Sequence, residues 1–329
     1  MSTPTPERDV YVSTGHLPPA EEVHRVVTQA YELIKTNAEG QNSQVYPALA
    51  RVPSDLFGIS VVGSNGGVYS MGDADHEFTI MSVSKPFVFA LVCDVLGPEK
   101  VAENIGVNAT GLAFNSLAAI EQGVEGRTNP MVNPGAIATT NLVPGKTLEA
   151  KWKFIHDGLN RFAGRALTMN DEVYDCAMRT NFRNQSIARL LQSYGRLAID
   201  PADATDLYTR QCTLNVTAKD LAVMGATLAD GGVNPITKER VVSPSVCHYA
   251  LAVMLTAGLY ETSGDWLYHI GLPGKSGISG GIVAVSPGKG GIGTFSPPLD
   301  KAGNSVKGQL VAKYFAAELG MDLLVSRPE

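Results

Sequence analysis

Strand signals in this chain fall into two patches far apart in sequence, and the stretch between them reads almost entirely as helix. Leu56-Phe57-Gly58-Ile59-Ser60-Val61-Val62 and Gly67-Val68-Tyr69-Ser70-Met71-Gly72 are rich in β-branched and aromatic residues, and Gly63-Ser64-Asn65-Gly66 joins them as a hairpin turn. The second patch, 280–286 and 290–295, is apolar and punctuated by glycine. From 98 to 240 helical patterns occupy 115–122, 147–163, 170–178, 183–194, 203–208 and 217–230. Thr217 reads as the N-cap of the last of these, and Asp230-Gly231-Gly232 as its end. Further helices read at 20–37, 243–258 and 304–320. Two separated strand patches build one sheet only if the chain returns to it after the helical block. The order therefore predicts an α/β (α+β) protein: an antiparallel sheet flanked by helices, with an inserted all-helical lobe. Residues 1–80 and 241–329 would form the α/β lobe and 81–240 the helical lobe.

A chain of 329 residues can bury a large core without staples. The formal charge of −6 is spread without basic or acidic blocks, so no nucleic-acid footprint is expected. No apolar run reaches about 18 residues, so no membrane span is expected. Met1 to Val10 has neither the basic start nor the apolar core of a secretory leader, which points to the cytoplasm. Cys93, Cys176, Cys212 and Cys247 form no C-x-x-C pair and read as reduced, mostly buried thiols. The six histidines show no ligand spacing, so no metal is expected.

Chemistry-bearing residues cluster in a few segments. In Ser82-Val83-Ser84-Lys85 a serine precedes a lysine by three residues, one turn of helix away on the same face. A serine hydroxyl becomes a nucleophile only with a base in reach, and a desolvated lysine has the lowered pKa that the task requires. On composition alone this is a helix start with a surface lysine, but Pro86-Phe87-Val88-Phe89-Ala90 follows, an apolar run in which a surface lysine is out of place. Lys275-Ser276-Gly277 reads as a strand on the opposite wall of the same cleft. The small residues around Ile278 let a ligand approach the backbone closely. Asn129 to Ile137 and Thr180 to Gln185 carry asparagines whose amides suit a zwitterionic or amide-bearing ligand, although turns and helix caps use the same residues. Tyr208 and Tyr260 stand near loop boundaries and nothing in their immediate sequence marks them out.

Taken in order, the segments VYPALA with DLFGISVV, GDADHEFTIMSVSK, NPMVNPGAIA, TNFRNQSIA, LYTRQCTL and TAGLYETSGDWLYHIGLPGKSGISGG resemble the serine-dependent glutaminases, whose fold is like that of the serine β-lactamases and penicillin-binding enzymes. The resemblance runs from about Tyr46 to the C-terminal helix. It implies an amidohydrolase that converts L-glutamine to L-glutamate and ammonia, acting without metal or organic cofactor as a homodimer or homotetramer. It implies Ser82 as nucleophile, Lys85 as its base, Tyr260 assisting proton transfer to ammonia, and Tyr46 supporting it. It further implies that Asn133, Asn184 and Tyr208 hold the substrate, and that the N–H groups of Ser82 and Ile278 receive the oxyanion.

The chain departs from the family pattern at several positions. Cys176-Ala177 stands where the family has a Ser-Glu pair, so the glutamate that faces the substrate ammonium is absent unless Asp175 or Glu172 replaces it. Met81 stands where glutamine is usual, Pro134 where alanine is, and Ser279 where glycine is. Two other readings stay open. One is another S-x-x-K serine hydrolase, penicillin-binding, β-lactamase-like or esterase, although no Ser-Asp-Asn motif lies between Ser82 and Lys275. The other is a catalytically weak glutamine-binding sensor.

Overall fold

The computed structural model describes residues 15–325, so the stretch from Met1 to Val10 that was read as no leader lies outside them. The chain runs through α1 (Ala20–Ile34), α2 (Pro47–Ala50), β1 (Gly58–Gly63), β2 (Val68–Gly72) and β3 (Phe78–Thr79). A 3-10 turn, Met81–Val83, leads into α3 (Ser84–Leu96). Then come α4 (Pro98–Ile105), α5 (Ala118–Gln122), a second 3-10 turn Val124–Gly126, α6 (Asn133–Leu142), α7 (Leu148–Ala163), α8 (Asp171–Thr180), α9 (Phe182–Ser193) and α10 (Pro201–Cys212). After β4 (Asn215–Val216) follow α11 (Ala218–Ala229), α12 (Pro244–Ala257), a 3-10 turn Tyr260–Thr262 and α13 (Ser263–Ile270). The chain closes with β5 (Gly274–Ser276), β6 (Gly281–Ser286), β7 (Gly290–Phe295) and α14 (Val306–Glu318).

The two strand patches do meet in one sheet. Its order is β2-β1-β7-β6-β5, antiparallel throughout, with Ile59 opposite Thr294 and Lys275 opposite Val283. Successive side chains on a strand face opposite ways. On β6, Ile282 and Ala284 therefore join the core beneath α1, α13 and α14, while Val283 and Val285 join the core of the helical layer. Both faces are covered, which explains why β1, β6 and β7 are buried along their whole length.

The helix α11 lies before residue 240 in the chain, yet it packs on the sheet. Two glycines of β7 make room for it. A Cβ on Gly293 would sit 1.9 Å from the Ala218 carbonyl oxygen, and one on Gly291 would sit 2.3 Å from the Ala226 nitrogen. Thr217 caps α11 in a reciprocal capping box with Asp220.

Helix ends differ from the sequence reading where a local device extends them. The span read as 203–208 begins at Pro201, whose fixed φ suits a first helical turn, and the Asp200 side chain accepts from the Ala202 N–H. The eight-residue α13 is too short to show a period and was not expected.

A second ladder, Phe78 with Val216 and Thr79 with Asn215, holds the approach to Ser82 against the helical layer. Phe78 stacks on Phe295 at 4.0 Å between ring centres, tying that approach to the large sheet as well. Such an aromatic pair adds about 0.5–1.5 kcal/mol beyond its buried area.

Candidate active site

Ser82 lies in the 3-10 turn just before α3, and Lys85 lies in the first turn of the helix. Both are buried, at 6% and 2% exposure. Met81, just before the serine, has a φ of +47°, a strained value for a residue with a side chain. Tyr260, across the cleft, is also left-handed, with a φ of +56°. Non-glycine residues hold such angles only where the surroundings over-determine them, and sites of chemistry are where they gather. Ser84, the other serine of the motif, is committed elsewhere. Its hydroxyl donates to the Met81 carbonyl at 2.8 Å and accepts from Gln211 Nε2 at 3.2 Å.

Lys85 has no carboxylate partner among the described residues. Its Nζ donates to Asn133 Oδ1 at 2.7 Å and to the Met131 carbonyl at 3.3 Å, and it sits 5.8 Å from the centre of the Tyr208 ring. Burial without a counter-ion pushes its pKa down to about 7, with a small opposing pull from Cys212. The amine is therefore neutral in a large share of molecules at neutral pH, unlike an ordinary lysine.

Asn133 joins the site residues together. Its Oδ1 accepts from both Lys85 and the Tyr208 hydroxyl, the latter at 3.0 Å. Its Nδ2 then donates to Asn184 Oδ1 at 2.9 Å. Asn133 is held by the start of α6, where Pro134 occupies the first turn and is accepted without strain. Its backbone N–H donates to the Phe114 carbonyl at 2.7 Å, which docks the 107–117 loop on the cleft.

Tyr260 and Lys275 form the opposite wall. Tyr260 donates to the Ser276 carbonyl at 3.2 Å and packs against Phe114, with ring centres 4.6 Å apart. Burial raises its phenol to about 12, although hydrogen bonding with Ser82 and Ser276 pulls in the other direction. Lys275 is fully buried on β5 and donates to the carbonyls of Gly258 and Ser276 at 2.8 and 2.9 Å. Burial, and then the nearness of Lys85, lowers its pKa.

The turn after β5 carries Ile278. Neither its N–H nor that of Ser82 has a hydrogen-bond partner among the described residues. Ser279 clamps this turn onto β3, donating to the Thr79 carbonyl at 2.6 Å. The hydroxyl that replaces glycine here thus ties the Ile278 turn to the strand that leads to Ser82.

Between these walls lies a cleft with about 760 Å³ of empty space, counted to its open mouth. Tyr46, Ser82, Asn133, Asn184, Tyr208 and Ile278 all line it. Lys85, Lys275 and Tyr260 stand behind that lining. Tyr46 is the N-cap residue of α2, and burial raises its phenol pKa. Ala177 lines the cleft at 2% exposure. Glu172 and Asp175, the acids that could have replaced the missing glutamate, are exposed, and neither lines the cleft. Glu172 is ion-paired with Arg51.

Phe114, Asn115, Thr209, Cys212 and Thr213 line the cleft with no role assigned to them from the sequence. Phe114 and Asn115 sit in a loop with no distinguishing pattern, and Cys212 read only as a buried thiol. Arg183 lay inside a segment already singled out for its asparagines.

The glutaminase family model matches residues 40–324. The chain belongs to the glutaminase family. It is 68% identical to "Glutaminase 2" of Yersinia pestis over 318 residues, 97% of this chain and 94% of that one. It is 51% identical to a glutaminase of Brucella canis over 288 residues, 88% and 91% of the two chains. A solved structure described as a probable glutaminase superposes with a TM-score of 0.92 at 44% identity, covering 94% of this chain and all of that one. The structure of Mglu in its glutamate form gives 0.86 at 36% identity, over 95% and 72% of the chains. This family member therefore has the serine β-lactamase-like fold that the resemblance implied, with the antiparallel sheet and helical flanks expected from the order of its elements.

Proposed function

We propose that the chain hydrolyses L-glutamine to L-glutamate and ammonia through an acyl-enzyme on Ser82. The overall reaction is that of the glutaminase family, and a similar chain, Mglu, is known in a glutamate form. The single observation that carries the assignment of roles is the amine of Lys85, one helical turn from Ser82. It is buried, paired only with neutral oxygens and lowered to about 7.

Lys85 takes the Ser82 proton as Oγ attacks the side-chain amide carbon. The amide oxygen becomes an oxyanion and accepts from the free N–H groups of Ser82 and Ile278. Preorganised donors of this kind typically contribute about 10²–10³ in turnover. Tyr260, protonated across the physiological range, passes a proton to the departing nitrogen and is reprotonated from the Lys85 ammonium as ammonia leaves. Lys85, neutral again, takes a proton from the water that attacks the ester and hands it to Ser82 Oγ as glutamate is released, its new carboxyl losing the remaining proton to solvent. Asn133, Asn184 and Tyr208 orient the substrate in the cleft, and Tyr46 supports Tyr260 in the proton transfer.

The same reading carries a symmetric homodimer or homotetramer in the cytoplasm, closed assemblies being the common form of soluble oligomers. Light scattering after size exclusion reads the mass directly. No described helix is long and apolar enough to cross a membrane.

Ammonia release from glutamine by wild type and by Ser82→Ala tests the proposal. Loss of at least about 10³-fold in the variant is expected for a missing nucleophile. Equal release by the two proteins removes Ser82 from the mechanism. Nitrocefin turnover without ammonia release would favour the penicillin-recognising alternative, and stabilisation by glutamine without turnover would favour a sensor.

A further inference from the structure

Among the described residues no carboxylate lines the cleft, and Arg183 is the one charged side chain in its lining. Arg183 is exposed at the rim, where its Nε donates to the Asn115 carbonyl at 2.8 Å. Its two terminal nitrogens have no partner among the described residues. Lys85 lies directly beneath the floor formed by Asn133.

The hydrogen-bonding groups follow the same bias. A lysine amine in contact with Asn133 donates, so Asn133 presents its oxygen there and its Nδ2 must donate onward. That fixes Asn184 with its oxygen toward Asn133. The Asn184 Nδ2 is left as a donor with no partner among the described residues, on a side chain only 9% exposed. The Asn181 oxygen is likewise taken, by Gln185 Nε2 at 3.0 Å. Among the lining side chains, what can still accept from a substrate ammonium is a set of neutral groups and the half-exposed amide of Asn115, beside the Arg183 guanidinium. Free donors suit a carboxylate, whereas an ammonium finds no side-chain anion among the described lining residues.

We infer that the cleft recognises its substrates by a carboxylate and a terminal carboxamide and does not require the α-ammonium. Monoamides of five-carbon dicarboxylic acids are therefore substrates beside glutamine. This rests on the Ser82 reading given above. The simplest such compound is 4-carbamoylbutanoate, which is glutamine without its amino group. Ser82 attacks its amide carbon, ammonia leaves, and water releases glutarate, so no further reactant is needed. Ala177 is the small, buried wall residue at which a carboxylate would create the missing preference.

The test is kcat/KM for ammonia release from L-glutamine and from 4-carbamoylbutanoate, with wild type, Ser82→Ala and Ala177→Glu. A hydrogen bond to a charged partner is worth about ten- to hundredfold in binding. The wild-type values should agree within about tenfold, since no such bond to an ammonium is made. Ala177→Glu should then shift the ratio toward glutamine by about tenfold or more. A wild-type preference for glutamine greater than about tenfold overturns the inference while leaving the Ser82 mechanism standing. That comparison needs no variant to fold. Failure of both amides to exceed Ser82→Ala overturns the catalytic reading and this inference with it.

Discussion

Lys275 holds its amine 4.3 Å from the centre of the Tyr260 ring, and both side chains donate to one oxygen, the Ser276 carbonyl, at 2.9 and 3.2 Å. The ring also packs against Phe114, with centres 4.6 Å apart. A phenol in contact with both an amine and an aromatic ring, at a backbone φ of +56°, has little freedom to move. Lys275 does not line the cleft, so any effect it has on the reaction would pass through Tyr260.

Lys275→Met keeps the length of the stem and removes the amine. If the amine positions the proton donor, kcat should fall by about 10²-fold, the low end for a general acid, while KM for glutamine changes little. The folded fraction is measured alongside by circular dichroism. A variant that melts earlier but keeps its kcat per folded molecule would show that Lys275 only packs the core.

The pH dependence follows from the two ionising groups. The Lys85 amine must be neutral to take the Ser82 proton, and its pKa lies near 7 because it is buried. Below that value it is charged and inactive, so kcat/KM should rise with pH through about 7. Tyr260 must keep its proton, and with burial raising it to about 12 no falling limb is expected in the ordinary range. Initial rates of ammonia release between about pH 5.5 and 9 would show one ascending limb and a plateau. A bell with a descending limb below about pH 9 would mean that another group carries the proton to ammonia.

The site was legible in the sequence to different depths at different residues. Ser82 and Lys85 were legible because their spacing and the apolar run after them have a direct physical meaning. The single sheet was legible because its strands carry apolar runs, and β1, β6 and β7 are buried along their length. Asn133 and Asn184 read as amides suited to a polar ligand, but turns and helix caps use the same residues. What sets their orientation is Lys85 Nζ, supplied by a different helix. Tyr260 and Lys275 lie further apart in sequence than any helical or strand period reaches, and their contact arises only when β5 folds back beside the Tyr260 turn. The position of α11 on the sheet was hidden for the same reason. Its partner glycines, Gly291 and Gly293, sit in a stretch read as a strand, and nothing in the sequence says what packs against them until α11 is placed there.

That close approach makes a stability prediction. A methyl at position 293 would lie 1.9 Å from the Ala218 carbonyl oxygen and 2.5 Å from the Ala222 nitrogen, both backbone atoms that cannot swing aside. Gly293→Ala should therefore cost about 1–3 kcal/mol or more, as overpacking does. Gly264, in α13, has nothing within 4 Å of the same added methyl. Gly264→Ala should instead stabilise by about 0.4–1 kcal/mol, by restricting the unfolded chain. Midpoints of chemical denaturation for the two variants decide the matter. A Gly293→Ala midpoint equal to wild type would mean that α11 can lift off the sheet at no cost.

The hydrogen bond from Lys85 to Asn133 offers the sharpest way to move the base. Asn133→Asp places a carboxylate 2.7 Å from the amine without changing the shape of the side chain. An opposite charge at that distance favours the ammonium, and such contacts raise a lysine pKa by about 1–3 units. Asn184 must also turn its amide, since an aspartate offers it no N–H. At pH 7 the variant should be slower by about 10-fold or more, because the base stays protonated. The loss should shrink as the pH is raised, with the ascending limb displaced from near 7 to about 8–10. A loss of contact with substrate alone would give a deficit that stays the same at every pH. Rate against pH for the two proteins, at saturating and at limiting glutamine, separates a shifted base from a weakened grip. An unmoved limb in Asn133→Asp would remove Lys85 as the group that limits activity on the acid side.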